Sequence, residues 1–296
     1  MTVSSMTFSK AQWRLLQTPP AGGAWNMAVD EAILETAGRQ LALPTLRLYA
    51  WSPPCLSLGF AQPASDVDFQ ELQNRSWDIV RRPTGGRSIL HTDELTYSVS
   101  GPYTEPRLAG SVLESYQRIS AALLEALRLL SIPAQAQPEL ARTGSQPSQS
   151  KSASENGPVC FEMPSSYEIT VKGKKVIGSA QSRKQDGVLQ HGSLPLTGDL
   201  TRILQVLVFA KDDQNEPNQE AARLKAARHL RERAISAEEC LGQAVTWQAA
   251  AQAFITAFSR VLNLELLPAE LTPTEIRRAQ ELVLTKYAHS DWTLKV

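Results

Sequence analysis

Arg81-Arg82-Pro83-Thr84-Gly85-Gly86-Arg87-Ser88-Ile89-Leu90-His91 sets three arginines and two glycines into one strand-turn-strand. Residues 77–81 and 89–91 read as strands, and the alternating Leu95, Tyr97 and Val99 continue as another. Glycine lets a backbone approach a ligand closely, and arginine grips a carboxylate or phosphate through paired donors. Two readings of the turn stand side by side: a hairpin with solvated charges, and a loop that holds an anion.

Outward from this stretch the pattern is that of a sheet with covering helices. Upstream, residues 13–17 read as a strand and 22–38 as a helix, with Trp25, Val29, Ile33 and Ala37 on one stripe and Asp30, Glu31 and Glu35 elsewhere. Leu46, Leu48 and Ala50 alternate, as do Leu56 and Leu58. Downstream, Val112, Tyr116, Ile119, Leu123, Leu127 and Leu130 recur at helical spacing, which predicts a long helix on one sheet face. Residues 142–158 are rich in Ser, Gln, Thr, Gly and Pro and predict a mobile loop. Strand candidates follow at 167–171, 175–181 and 188–194, the first two joined by the turn Lys172-Gly173-Lys174. From Leu200 onward strand signals vanish. Amphipathic segments at 202–209, 219–230, 246–262 and 273–287 predict helices, with Ser236 and Thr272 as caps and Pro268 marking a linker. The sum is an α+β fold, a mixed sheet packed with helices over residues 10–210, followed by a mainly helical region over 211–296.

Composition narrows the function classes. In 296 residues, 30 Lys and Arg balance 30 Asp and Glu, so no global basic field gathers nucleic acid or an anionic membrane. The first residues lack the pattern of a secretory signal, and no stretch reads as a membrane span, so the expectation is a cytoplasmic protein. Three scattered cysteines form no zinc spacing and no disulfide framework; Cys55 and Cys240 read as structural, and no metal site is expected.

Cys160 follows the Ser-rich segment in Pro158-Val159-Cys160-Phe161-Glu162, where a buried cysteine would ordinarily be a small hydrophobe. The strand that Lys175 begins is close enough in sequence for a hairpin to bring the two together, and an ammonium beside a thiol stabilises the thiolate. The small run Gly178-Ser179-Ala180, ending in Gln181, leaves room for a ligand against the sheet. Gln190-His191-Gly192-Ser193 adds a polar cluster on the next strand, where His191 reads either as a structural histidine or as part of a site.

Together these segments resemble the lipoate-protein ligase and octanoyltransferase family, whose catalytic module is shared with biotin protein ligases. The resemblance runs from Gly22-Gly23-Ala24-Trp25-Asn26-Met27-Ala28-Val29-Asp30-Glu31 to Lys286-Tyr287-Ala288-His289-Ser290-Asp291-Trp292. RRPTGGR (81–87), HTDELTYS (91–98), CFEMPSSYEI (160–169), KKVIGSAQ (174–181) and LQHGS (189–193) carry it most specifically. It implies a mixed-sheet domain that attaches an octanoyl or lipoyl chain to a lysine of a small carrier domain. It implies Cys160 as the acyl-thioester nucleophile and Lys175 as the cation that activates it. Arg82, Gly85, Gly86, Arg87, His91, Gly178, Ser179, Ala180, Gln181, His191 and Gly192 are its substrate-binding candidates.

Within the family, ligases activate a free acid with ATP, whereas octanoyltransferases take the acyl group from acyl carrier protein through a cysteine. Cys160 points to the transferase, as does Arg87, which stands where the ligases usually carry a third glycine. The expected donor is octanoyl-acyl carrier protein, and the acceptor an apo lipoyl domain, of the glycine cleavage H protein or of a 2-oxoacid dehydrogenase, with no cofactor. An ATP-dependent ligase, a carrier-to-carrier amidotransferase and a non-catalytic binder of lipoyl domains remain the rival readings.

Overall fold

A computed structural model describes residues 8–138, 167–184, 187–209 and 219–296. The expected loop at 142–158 and Cys160 lie outside the described residues. In chain order the elements are β1 (Ala11–Gln17), α1 (Gly23–Gly38), β2 (Thr45–Tyr49), β3 (Cys55–Leu58), α2 (Phe69–Asn74), β4 (Asp78–Arg81), β5 (Ile89–His91), β6 (Glu94–Gly101), α3 (Val112–Leu129) and β7 (Gln135–Pro138). Then come β8 (Tyr167–Val171), β9 (Lys174–Lys184), β10 (Gly187–Pro195), α4 (Gln219–Arg233), α5 (Ala237–Leu241), α6 (Trp247–Val261), β11 (Leu264–Pro268), α7 (Pro273–Leu282), a π turn (Val283–Tyr287) and α8 (Ser290–Thr293).

Eight strands form a mixed sheet in the order β11-β1-β2-β6-β10-β9-β8-β7, parallel at β11-β1-β2 and antiparallel from β2 onward. Strand side chains alternate between faces. Leu95, Tyr97 and Val99 of β6 point to one face, where α3 and α6 cover them with Ile119, Leu123, Phe254 and Phe258. Thr96, Ser98 and their neighbours point to the other face, which α1 covers with Met27, Val29 and Ile33. Ser111 and Glu114 close a capping box at the start of α3, and Ser236 and Thr272 do the same for α5 and α7, each satisfying backbone N–H groups that a helix start leaves open.

Three expectations are corrected. Residues 81–91 are not a hairpin: β4 and β5 lie on opposite sides of β3 in a separate three-stranded sheet, so the intervening loop crosses over β3. Strand signals do not end at Leu200, because β11 pairs in parallel with β1 from Ala11↔Leu264 to Leu15↔Pro268; Pro268 ends a strand and is no linker. Residues 200–206 form a 3-10 helix in place of the expected amphipathic α-helix. The described part of 211–296 is otherwise helical, and its α6 and α7 contribute to the same apolar clusters as α3 and α1. Cys55 is fully buried where α1 meets the small sheet, so close that a Cβ placed on Gly23 would lie 2.5 Å from its Sγ.

Candidate active site

The polar face of the large sheet under α1 is where the side chains converge. Asp30, on the buried side of α1, accepts from Arg47 (2.8 Å), Tyr49 (2.9 Å) and Ser98 (2.8 Å), and its second oxygen lies 3.3 Å from His191 Nδ1. Burial pushes this carboxyl up, but the Arg47 charge and the hydrogen bond with His191 outweigh it and hold it below its usual value. His191 is pushed down, by burial first and then by the charges of Arg82 and His91, against the pull of Asp30. Its imidazole is therefore neutral at neutral pH, and its Nε2 lies 2.7 Å from the Thr84 hydroxyl.

A second relay runs alongside. Glu94 Oε1 lies 2.7 Å from His91 Nδ1, and His91 Nε2 lies 2.8 Å from Ser57 Oγ, which Arg82 approaches at 3.3 Å. Burial pushes the Glu94 carboxyl up, but the interaction with His91 and the hydrogen bonds it accepts outweigh this, so it too lies below its usual value. Trp51 stacks on His91 at 4.0 Å between centroids and 10° between planes, and donates to Thr96. Thr96 in turn donates to Glu94.

The two imidazoles face one cavity, lined among others by Met27, Tyr49 and Trp51 on its apolar side. Of the residues expected at the site, the structure brings Arg82, His91, Gly178, Ser179, Ala180, His191 and Gly192 together there. Gly192 must lack a side chain: a Cβ would come 2.7 Å from the Tyr97 ring and 2.5 Å from Ser179 Oγ.

The remaining candidates are placed elsewhere. Gln181 points to the α3 side of the sheet, donating to Gln190 and Ser115 at 3.0 Å, because it is one residue out of phase with Ala180. Gly85, Gly86 and Arg87 do not line the cavity, and Arg87 reaches only to 3.8 Å from Asp66. Nor does Arg82 present a free fork: it donates to the carbonyls of Ser57 (3.0 Å), Gly85 (2.8 Å) and Arg87 (2.7 Å), bracing the loop it belongs to. Lys175 is buried on β9, its ammonium 3.2 Å from Glu168, and is not among the cavity residues.

Asp30, Ser57, Thr84 and Glu94 belong to the site although the sequence pattern does not single them out. Helical spacing alone puts Asp30 on the polar side of α1; the signal that points inward is a polar pair, Asn26 and Asp30, four apart on a helix otherwise rich in apolar residues. Among the described residues, no group of three or more His, Cys, Asp or Glu could hold a metal ion.

The lipoyl protein ligase A/B catalytic domain matches residues 23–259. Octanoyltransferase LipM of Brevibacillus brevis is 38% identical over 96% of this chain and 99% of its own, and that of Kyrpidia tusciae 40% over 96% and 98%. A bipartite lipoate protein ligase from Thermoplasma acidophilum, solved in a study with its E2 lipoyl domain, superposes with a TM-score of 0.73 at 24% identity, covering 96% of both chains. The mixed sheet and its helices are thus a lipoate-ligase fold, and with nearly end-to-end similarity to octanoyltransferases the chain belongs to the lipoyl protein ligase A/B catalytic domain family.

Proposed function

We propose that the protein transfers an octanoyl group from octanoyl-acyl carrier protein, by way of a thioester on Cys160, to the lysine of an apo lipoyl domain. It is an acyltransferase of the octanoyltransferase kind, and the observation that carries this reading is the similarity to LipM octanoyltransferases along 96% of the chain. The Cys160 thiolate attacks the donor thioester carbonyl, the carrier thiolate leaves and takes up a proton, and the acceptor amine then displaces Cys160 while losing its own proton. Exchange between thioesters is nearly isoenergetic and the final amide is more stable, so no nucleotide is needed. Lys175 favours the thiolate by its charge. The cavity takes the acyl chain: its apolar side is Met27, Tyr49 and Trp51, and burying about seven methylenes at ~0.8 kcal/mol each contributes about 5–6 kcal/mol before ordering costs.

The reaction belongs to the cytoplasm. No helix among the described residues is long and apolar enough to cross a membrane. Incubation with octanoyl-acyl carrier protein and an apo lipoyl domain, with and without ATP, tests the reading: transfer without ATP or magnesium is expected. Strict ATP dependence with free lipoate as a good donor would make it a ligase, and transfer only from an octanoylated carrier domain would make it an amidotransferase.

A further inference from the structure

The stretch Lys286-Tyr287-Ala288-His289-Ser290-Asp291-Trp292 takes no part in the proposed chemistry, yet it bonds to Glu31 on α1 and to Arg81 on β4, elements that each carry or adjoin a residue of the cavity lining, Met27 and Arg82. On the α1 wall, Lys286 donates to Glu31 at 2.9 and 2.6 Å and Tyr287 donates to the same carboxylate, with Lys184 3.0 Å away. Glu31 adjoins Asp30, which holds His191, and lies one turn beyond the cavity residue Met27. The π turn widens the helix end and aims the consecutive Lys286 and Tyr287 at one acceptor.

On the small-sheet side, next to the cavity residue Arg82, Trp292 Nε1 donates to the Arg81 carbonyl at 2.8 Å. The buried Arg81 guanidinium returns two bonds to Thr293 O, at 3.0 and 2.8 Å. Its other nitrogen donates to Gly59 O (2.7 Å), Phe60 O (3.2 Å) and Gln62 O (2.6 Å). Phe60 N in turn donates to Thr84 O at 2.9 Å, the residue whose hydroxyl meets His191. Lys295 lies over both the Phe60 and the Trp292 rings, at 3.5 and 3.6 Å, and Tyr287 meets Trp292 edge-on at 6.0 Å, which joins the two halves.

We propose that this C-terminal segment is a clamp that fixes the spacing of the two cavity walls, with Lys286 and Trp292 as positioning residues for the acyl-transfer site. The first arginine of the RRPTGGR stretch thereby serves as the anchor of the clamp. Of the two readouts that test it, only the kinetic one rests on the octanoyl-transfer reading; the structural one stands without it.

Four histidines make the imidazole nitrogens separable by 15N NMR, and the exposed His229 on α4 is the internal reference. Trp292→Phe keeps the ring against Phe60 and Lys295 but deletes the donor to Arg81 O. The folded variant is expected to shift or split the His191 and His91 signals while His229 stays in place, and to raise KM for the octanoyl donor on the order of tenfold with a much smaller change in kcat. Unmoved His191 and His91 signals in folded Trp292→Phe would overturn the clamp. Should that variant fail to fold, Lys286→Met, which loosens the α1 side, carries the same readouts, and unmoved signals there overturn the clamp equally. Shifted signals in a protein whose wild type transfers no octanoyl group would support the clamp and overturn the assigned reaction.

Discussion

Thr84 Oγ1 and His191 Nε2 lie 2.7 Å apart, both buried, so this hydrogen bond fastens the crossover loop between β4 and β5 to β10 at the cavity wall. Thr84→Val keeps the shape and removes the hydroxyl. It leaves the imidazole nitrogen unpaired and is expected to lower stability by about 1–3 kcal/mol in urea denaturation. Octanoyl transfer is expected to fall with it, and Thr84→Ser to restore most of both.

Acid should destabilise the protein in two stages. The His191 pKa is depressed in the fold below 6.5, so under that pH the unfolded chain binds a proton that the folded chain refuses. Stability contributed by neutral His191 is present above 6.5 and is lost as pH falls through the depressed value. Asp30 and Glu94 are also depressed, from 3.8 and 4.5, so their contributions begin to be lost only as pH falls below those values. A Tm profile against pH is expected to show both declines, and His191→Gln to erase the upper one alone. An unaltered upper decline in that variant would refute the assignment.

Gly192→Ala places a methyl against Tyr97, Ser179 and the Gly178 carbonyl at once. Overpacking at a site with backbone on one side is expected to cost about 1–3 kcal/mol and to push β9 away from β10. Hydrogen exchange of the β9 and β10 amides would register the shift, and unchanged protection would contradict it.

The proposed thiolate on Cys160 predicts opposite effects from the two halves of one ion pair. Lys175→Met removes the cation and is expected to raise the pH at which Cys160 reacts with iodoacetamide. Glu168→Gln removes the carboxylate 3.2 Å from that ammonium and is expected to lower it. Cys160→Ala should abolish both transfer and the hydroxylamine-sensitive acyl adduct seen by intact mass. Matching alkylation profiles across the three proteins that retain Cys160 would dissociate Lys175 from the nucleophile.

Legibility in the sequence depends on whether the signal is local. The caps at Ser236 and Thr272 and the helix over 112–129 follow from spacing, because the residues that decide them are neighbours in the chain. β11 escapes a pattern reading because Leu266-Leu267-Pro268 breaks the alternation of a strand, and its pairing with β1, at the other end of the chain, is invisible locally. The crossover at 81–91 resembles a hairpin since nothing in the stretch reveals that β3 lies between its flanking strands. Thr96 and Ser98 alternate with apolar residues just as on a solvated sheet face, yet α1 covers them. The same covering explains why Asp30 reads as exposed: its partners Arg47, Tyr49, Ser98 and His191 come from three different strands.

Cys55 offers a use beyond packing. Its thiol is shut between α1 and the small sheet, with burial raising its pKa well above the ordinary thiol value, so a reagent in solution meets it only when that seam parts. The rate at which an aromatic disulfide titrates this one sulfur is then a clock for how often α1 lifts from its neighbours. A ligand that seals the cavity should slow the clock without touching the sulfur at all.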